Sequence, residues 1–245
     1  RYVHHLFRGA CNYEPSKKAV EFRKWQKKPE INFHSLLKDS LSRKNTIVLD
    51  LSTGSPLSAK LQFLSVDEQQ NYLDLLLKQN KAHNAVGRYS EVRSIYSAEQ
   101  FFHNSLEGDE KRTIHLGIDI FAKAGTCIFA PLDGVVHHMN DNRGHLDYGP
   151  TIILKHQPSD GPLFYTLYGH LGRSSLDNLN IGQLIRGGMP LAETGNSKEN
   201  GGWIPHVHFQ IILDLFDSKG NYPGVALPSQ QNVWNSICPD PGIML

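Results

Sequence analysis

The shortages in this chain narrow the field first. Three cysteines, Cys11, Cys127 and Cys238, occur in 245 residues. They are odd in number and far apart, which excludes a disulfide framework and a C-x-x-C zinc knuckle and leaves free thiols as the expectation. No apolar run approaches the length of a membrane span, and the opening RYVHHLFRGACNYEP lacks the basic-then-apolar layout of a signal peptide. No membrane partner is therefore expected, and a cytoplasmic setting is favoured over secretion. A net charge of +1 with 20% charged residues provides no basic stripe for nucleic acid and no acidic excess for a disordered tail. Internal repeats and low-complexity tracts are lacking too. The chain starts at Arg1 and stops at PDPGIML, which reads as a piece excised from something longer.

What is present is enough chain for one full core plus an appended segment. Residues 1–95 read as a smaller accessory segment, helix-rich with one or two strands. Pro15-Ser16 opens KKAVEFRKWQKK, where Ala19, Val20, Phe22 and Trp25 form a partial helical stripe that Pro29 ends. Its basic face is read as solvated rather than as a nucleic-acid patch. A second short amphipathic piece is expected with Phe33, Leu36, Leu37 and Leu41 on one face. Residues 46–52 look like a strand ending in the turn former Thr53-Gly54-Ser55-Pro56. Ser65 and Glu68 fit an S-x-x-E capping box, which predicts a helix over about 66–79. Nothing in residues 1–95 looks chemical, and His4, His5, His34, His83 and His103 show no ligand spacing.

From about Thr113 the texture changes to short Val/Ile/Phe/Tyr runs broken by Gly and Pro, at 127–130, 134–138, 151–156, 164–168, 190–193 and 206–213. This pattern predicts a mainly β fold over 96–245, sandwich or barrel-like, built from antiparallel sheets. Two polar loops, 140–147 and 196–202, are long enough to border a site.

Chemistry concentrates in that second part. In PHVHF, His206 and His208 stand two residues apart inside an apolar run, so on a strand both imidazoles leave the same face. His115 and Asp119 form a second pair in HLGID. Gly117 and its Ile neighbours disfavour a helix, and a straight strand would hold the two about 13 Å apart. A bend or bulge near Gly117 is therefore predicted, since Gly tolerates the backbone angles required. Catalytic zinc sites commonly take three protein ligands and leave a fourth position for water. His115, Asp119 and one histidine of the H-x-H pair would make such a set, the other being left for chemistry. His170, in LYGHL at the end of a strand, is a further candidate.

With HLGID, LYGHL and PHVHFQI in that order, and with APLDGVV, YGPTIILKH, IGQLIRGG and LAETGN between them, residues 113–215 resemble the lysostaphin/LytM-like zinc endopeptidases. The resemblance implies Zn2+ as cofactor, His115, Asp119 and His208 as its ligands, and His170 and His206 as the two catalytic histidines that do not bind it. It also implies hydrolysis of peptide bonds, in a peptide or a peptidoglycan-like cross-link. His206 is the choice for general base, and His170 for orienting water or stabilising an oxyanion. Tyr168, two residues from His170, is left out of the site. The wider context GRYSEVRSIYSAEQF, ENGGWIPHVHFQII and SICPDPGIML looks like the metallopeptidase-like domain inside larger fused proteins. There a kinase-like domain precedes it and a class III aminotransferase follows, so neighbouring domains of a longer chain are expected partners. The GGW segment departs from the shorter Gly/Ser turn of secreted members. The competing reading is a zinc-bearing binding or regulatory module within such a fusion.

Overall fold

In a computed structural model of the chain, residues 16–94, 110–216, 218 and 220–245 are described. Cys11, His4, His5 and His103 lie outside them. The strands are β1 (Thr46–Leu49), β2 (Asn84–Gly87), β3 (Ile114–His115), β4 (Ile118–Phe121), β5 (Cys127–Phe129), β6 (Gly134–Asn142), β7 (Gly149–His156), β8 (Phe164–Gly169), β9 (Leu184–Ile185), β10 (Pro190–Glu193), β11 (His206–Ile212) and β12 (Val225–Ala226). Eight of them form one sheet in the order β1-β2-β4-β11-β8-β7-β6-β9, while β5 pairs with β10 and β3 with β12. The chain is thus mostly β, with a large sheet dominated by antiparallel pairs.

The exception is β1 with β2, which run parallel. Parallel neighbours need a crossover, and here it is built from the helices Pro56–Leu61 and Val66–Gln79. The second of these carries the full capping box, with Ser65 and Glu68 each closing on the other's backbone. Through β2, which pairs antiparallel with β4, this part of the accessory segment is hydrogen-bonded into the same sheet as the motifs.

Strand β11 is buried along its whole length, and its two faces have different uses. Val207, Phe209 and Ile211 pack into the main core with Ile118 and Ile120 of β4, and with Ile152, Leu154 and Tyr168 from further along the sheet. The opposite face carries His206, His208 and Gln210. The strand alternation therefore separates the packing residues from the polar ones. Tyr168 is fully buried among these apolar side chains.

The helix Lys17–Trp25 is capped by the Ser16 side chain and buries Ala19, Phe22 and Trp25. Val20 falls off this stripe and is exposed. Phe22 meets Phe164 edge-on at 5.0 Å, and Trp25 meets it at 5.3 Å. The piece with Phe33, Leu36, Leu37 and Leu41 is not a helix. Its backbone bonds go to another segment, with His34 N–H donating to Pro131 O and Phe129 N–H to Leu36 O at 2.9 Å each, so Leu36 and Leu37 reach the core from an irregular strap. His34 and His83 are exposed. Cys127 and Cys238 are free thiols, and no described helix is long and apolar enough to cross a membrane.

Two predictions follow from the packing. Phe22→Ala removes the centre of the aromatic contact that docks the first helix and should cost about 3–5 kcal/mol in urea unfolding. His156 is buried with its Nδ1–H on Asp133 O at 2.8 Å and the Thr166 hydroxyl on Nε2 at 2.7 Å, and burial lowers its pKa to about 4. Between that value and about 6.5 the unfolded chain takes up a proton that the folded chain refuses, so stability falls as the pH drops through this window. In chelator-treated protein, urea midpoints at pH 7 and 4.5 should show this loss, and His156→Asn should reduce it by about 3 kcal/mol at most.

Candidate metal centre

The site is assembled by register. In the pairing of β11 with β4, His208 stands opposite Asp119, and in the pairing with β8 it stands opposite Gly169. The polypeptide bends at Gly117 between β3 and β4, which returns His115 to the same place. The glycine is needed for a different reason than backbone angle, because Gly117 is not among the positive-φ glycines. A Cβ there would stand 2.6 Å from the His208 ring, so the bend is a close approach that only a residue without a side chain permits.

The result is a triangle of electronegative atoms. His115 Nε2 lies 3.0 Å from His208 Nδ1 and 3.2 Å from Asp119 Oδ1, and His208 Nδ1 lies 3.1 Å from the same oxygen. These three residues form the potential metal-holding group among the described residues, and all are buried. The other ring nitrogen of each histidine is committed. His115 Nδ1–H donates to Arg88 O at 3.0 Å, and His208 Nε2–H donates to Gln210 Oε1 at 2.9 Å. Gln210 is itself oriented by donating from Nε2 to Pro223 O at 3.1 Å. In the neutral tautomers that these outer bonds select, both facing nitrogens present lone pairs to a carboxylate oxygen.

Such a set fits a cation. A tetrahedral zinc with bonds of about 2.0–2.1 Å separates its ligand atoms by about 3.3 Å, close to the spacings observed. Burial lowers the His115 pKa to about 4, with Arg93 acting in the same direction. Burial alone would raise the Asp119 carboxyl, but His115, Arg93 and His206 outweigh it and hold the group well below the usual carboxylate range. Two of the outer partners, Arg88 O on His115 and Arg93 on Asp119, come from a segment whose sequence shows no chemical motif. Gln210 was likewise missed, although its i+2 spacing from His208 places it on the same strand face.

His206 and His170 stand beside the triangle. His206 Nε2 is 3.8 Å from Asp119 Oδ1, and the His170 and His206 rings are 4.2 Å apart. Each anchors its Nδ1–H on a backbone carbonyl, His206 on Ile204 O at 2.7 Å and His170 on Asn200 O at 2.9 Å, which leaves Nε2 as an acceptor. Burial lowers both pKa values, that of His170 well below its ordinary value with His206 adding to the effect. His170 also sits at φ 62, an uncommon backbone for a non-glycine residue that favours functional positions. Trp203 of the GGW segment stands edge-on to His170 at 5.8 Å, and Tyr148 lies against His170 and His208 at 5.6 and 5.2 Å. All five motif residues line one cavity of 660 Å³, whose lining also includes Leu57, Val66 and Leu73 from the accessory segment.

Part of the chain is similar to known proteins. Over 100 residues, 41% of the chain, it is 31% identical to a Haemophilus influenzae protein described as an uncharacterized metalloprotease, and it spans 19% of that relative's length. Among solved structures, a zinc-containing peptidase from Vibrio cholerae is similar at 22% identity, over 45% of this chain and 30% of that one, with a TM-score of 0.32. The catalytic domain of the antimicrobial peptidase lysostaphin from Staphylococcus simulans is similar at 23% identity, over 46% and 76%, with a TM-score of 0.34. Residues 113–219, which hold all five motif residues, match the model of peptidase family M23.

Proposed function

We propose that the chain is a zinc-dependent endopeptidase in which His115, Asp119 and His208 hold the metal and His206 and His170 handle protons. The observation that carries this reading is the buried triangle of two imidazole lone pairs and one carboxylate oxygen within 3.0–3.2 Å. When bound, zinc supplies a Lewis acid for a carbonyl oxygen and lowers the pKa of water.

The protein's own residues account for the rest. His206 is the general base, because its Nε2 is an acceptor beside the ligand cluster and its depressed pKa keeps the ring neutral near pH 7. His170, with its Nδ1–H committed to Asn200 O, offers an acceptor at Nε2 and is suited to orienting water. It donates to an oxyanion only after taking up a proton. The cavity is large enough for a peptide segment, and the histidines that line it are buried. The proposed substrates are peptides, including Gly-containing ones and peptidoglycan cross-links. The fusion-like flanking segments support a setting in a longer, cytoplasmic protein beside kinase and aminotransferase domains.

Metal analysis paired with hydrolysis of a peptide and muropeptide panel tests this reading. His208→Ala should lose zinc, whereas His206→Ala should keep zinc and lose turnover by about 10²–10⁴-fold. Zinc-loaded wild-type protein that is inert across the panel would remove the proposed activity. Equal loss of metal in both variants would show that the two histidines are not divided between ligand and base.

A further inference from the structure

The segment from Gly87 to Arg93 lies outside residues 113–219, the part that matches a peptidase family, yet it touches two of the three candidate ligands. Strand β2 ends with Gly87 opposite Asp119. The backbone then turns through Ser90, at φ 56, and runs back along residues 113–115. Ser90 N–H donates to His115 O at 2.8 Å, His115 N–H to Glu91 O at 3.0 Å, and Arg93 N–H to Thr113 O at 2.8 Å. His115 thus has its backbone held by this strap as well as its ring proton.

Arg93 is 3% exposed. Its Nη1 donates to Asp119 Oδ2 at 2.5 Å and its Nε to Glu91 Oε2 at 2.9 Å. Glu91 is buried too, and its other oxygen accepts from Arg88 Nε at 2.9 Å and from Leu51 N–H at 3.1 Å. The guanidinium reaches Asp119 by crossing the face of Gly87, where a Cβ would stand 2.6 Å from Arg93 Nη2. Gly87, Glu91 and Arg93, all within seven residues, thus act together to bring one guanidinium onto one carboxylate oxygen.

We propose that Arg93 is a positioning residue for the metal centre: by holding Oδ2 it turns Oδ1 of Asp119 into the ligand triangle, Glu91 orients it, and Gly87 gives it passage. A carboxylate with one oxygen tied to a guanidinium presents the other alone, which makes Asp119 a single-oxygen ligand and keeps a position open for water. The segment 87–93 is then part of the metal centre, and the family-matching stretch by itself is incomplete. This inference rests on the proposed zinc site and not on the identity of the substrate.

The test uses the full chain and zinc itself. Zinc affinity is measured by chelator competition for wild type, Arg93→Lys and Gly87→Ala, alongside the visible absorption of the cobalt-substituted proteins. A lysine does not span Asp119 and Glu91 as the guanidinium fork does, and the alanine methyl displaces the tip of Arg93, with a smaller shift of the Leu51 side-chain end. Both variants should bind zinc about 10–100-fold more weakly and show altered cobalt bands, a change in coordination that a merely structural role would not produce. Gly87→Ala decides the matter by itself if Arg93→Lys does not fold. Folded variants with wild-type zinc affinity and unchanged cobalt spectra would overturn the inference and leave the proposed activity standing. A wild-type chain that binds zinc but cleaves no peptide would do the reverse.

Discussion

Two imidazole nitrogens and one carboxylate oxygen stand buried within 3.2 Å of one another, and much of the architecture serves to hold them there. Bringing three such polar atoms together away from water is costly unless a cation or a proton bridges them. Register keeps it assembled. The pairing of β4 with β11 sets His208 against Asp119, and the bend at Gly117 returns His115 across the His208 ring. Arg88 O and Gln210 then take the remaining ring protons.

The same strands explain why the site survives inside a hydrophobic fold. Alternation on β11 sends Val207, Phe209 and Ile211 into the core and His206, His208 and Gln210 to the other face. The core therefore fixes the strand positions without competing for the polar side chains. Beyond β4 the sheet continues into β2 and β1. That continuation brings the 87–93 strap against the ligands and the crossover helix Val66–Gln79 toward the cavity. The accessory segment is in this way structurally continuous with the chemistry.

Much of this was legible in the residues, and the boundary is a physical one. Local signals read cleanly: the capping box at Ser65 and Glu68 marks its helix, and the His-x-His alternation puts both rings on one strand face. The need for a bend at Gly117 follows from the distance that His115 and Asp119 would otherwise span. Its cause does not, because the close approach of the His208 ring involves a residue 91 positions away. Arg93 was invisible for the same reason. Glu91 and Arg93 alternate along an extended stretch, which is a signal that they share a face, but only the pairing of this strap with residues 113–115 brings that face to Asp119. The stretch carrying Leu36 and Leu37 reads as a short amphipathic piece because its apolar spacing is helical, yet its hydrogen bonds go to Pro131 and Phe129.

The central claim is that two imidazoles and one carboxylate oxygen hold a single zinc ion. X-ray absorption at the zinc edge of the purified chain, loaded with one equivalent, tests it most directly. The account predicts two histidine nitrogens and oxygen donors at about 2.0–2.2 Å, with the imidazole signature reduced in His208→Ala. A shell containing sulfur, or an all-oxygen shell without imidazole scattering, would contradict it.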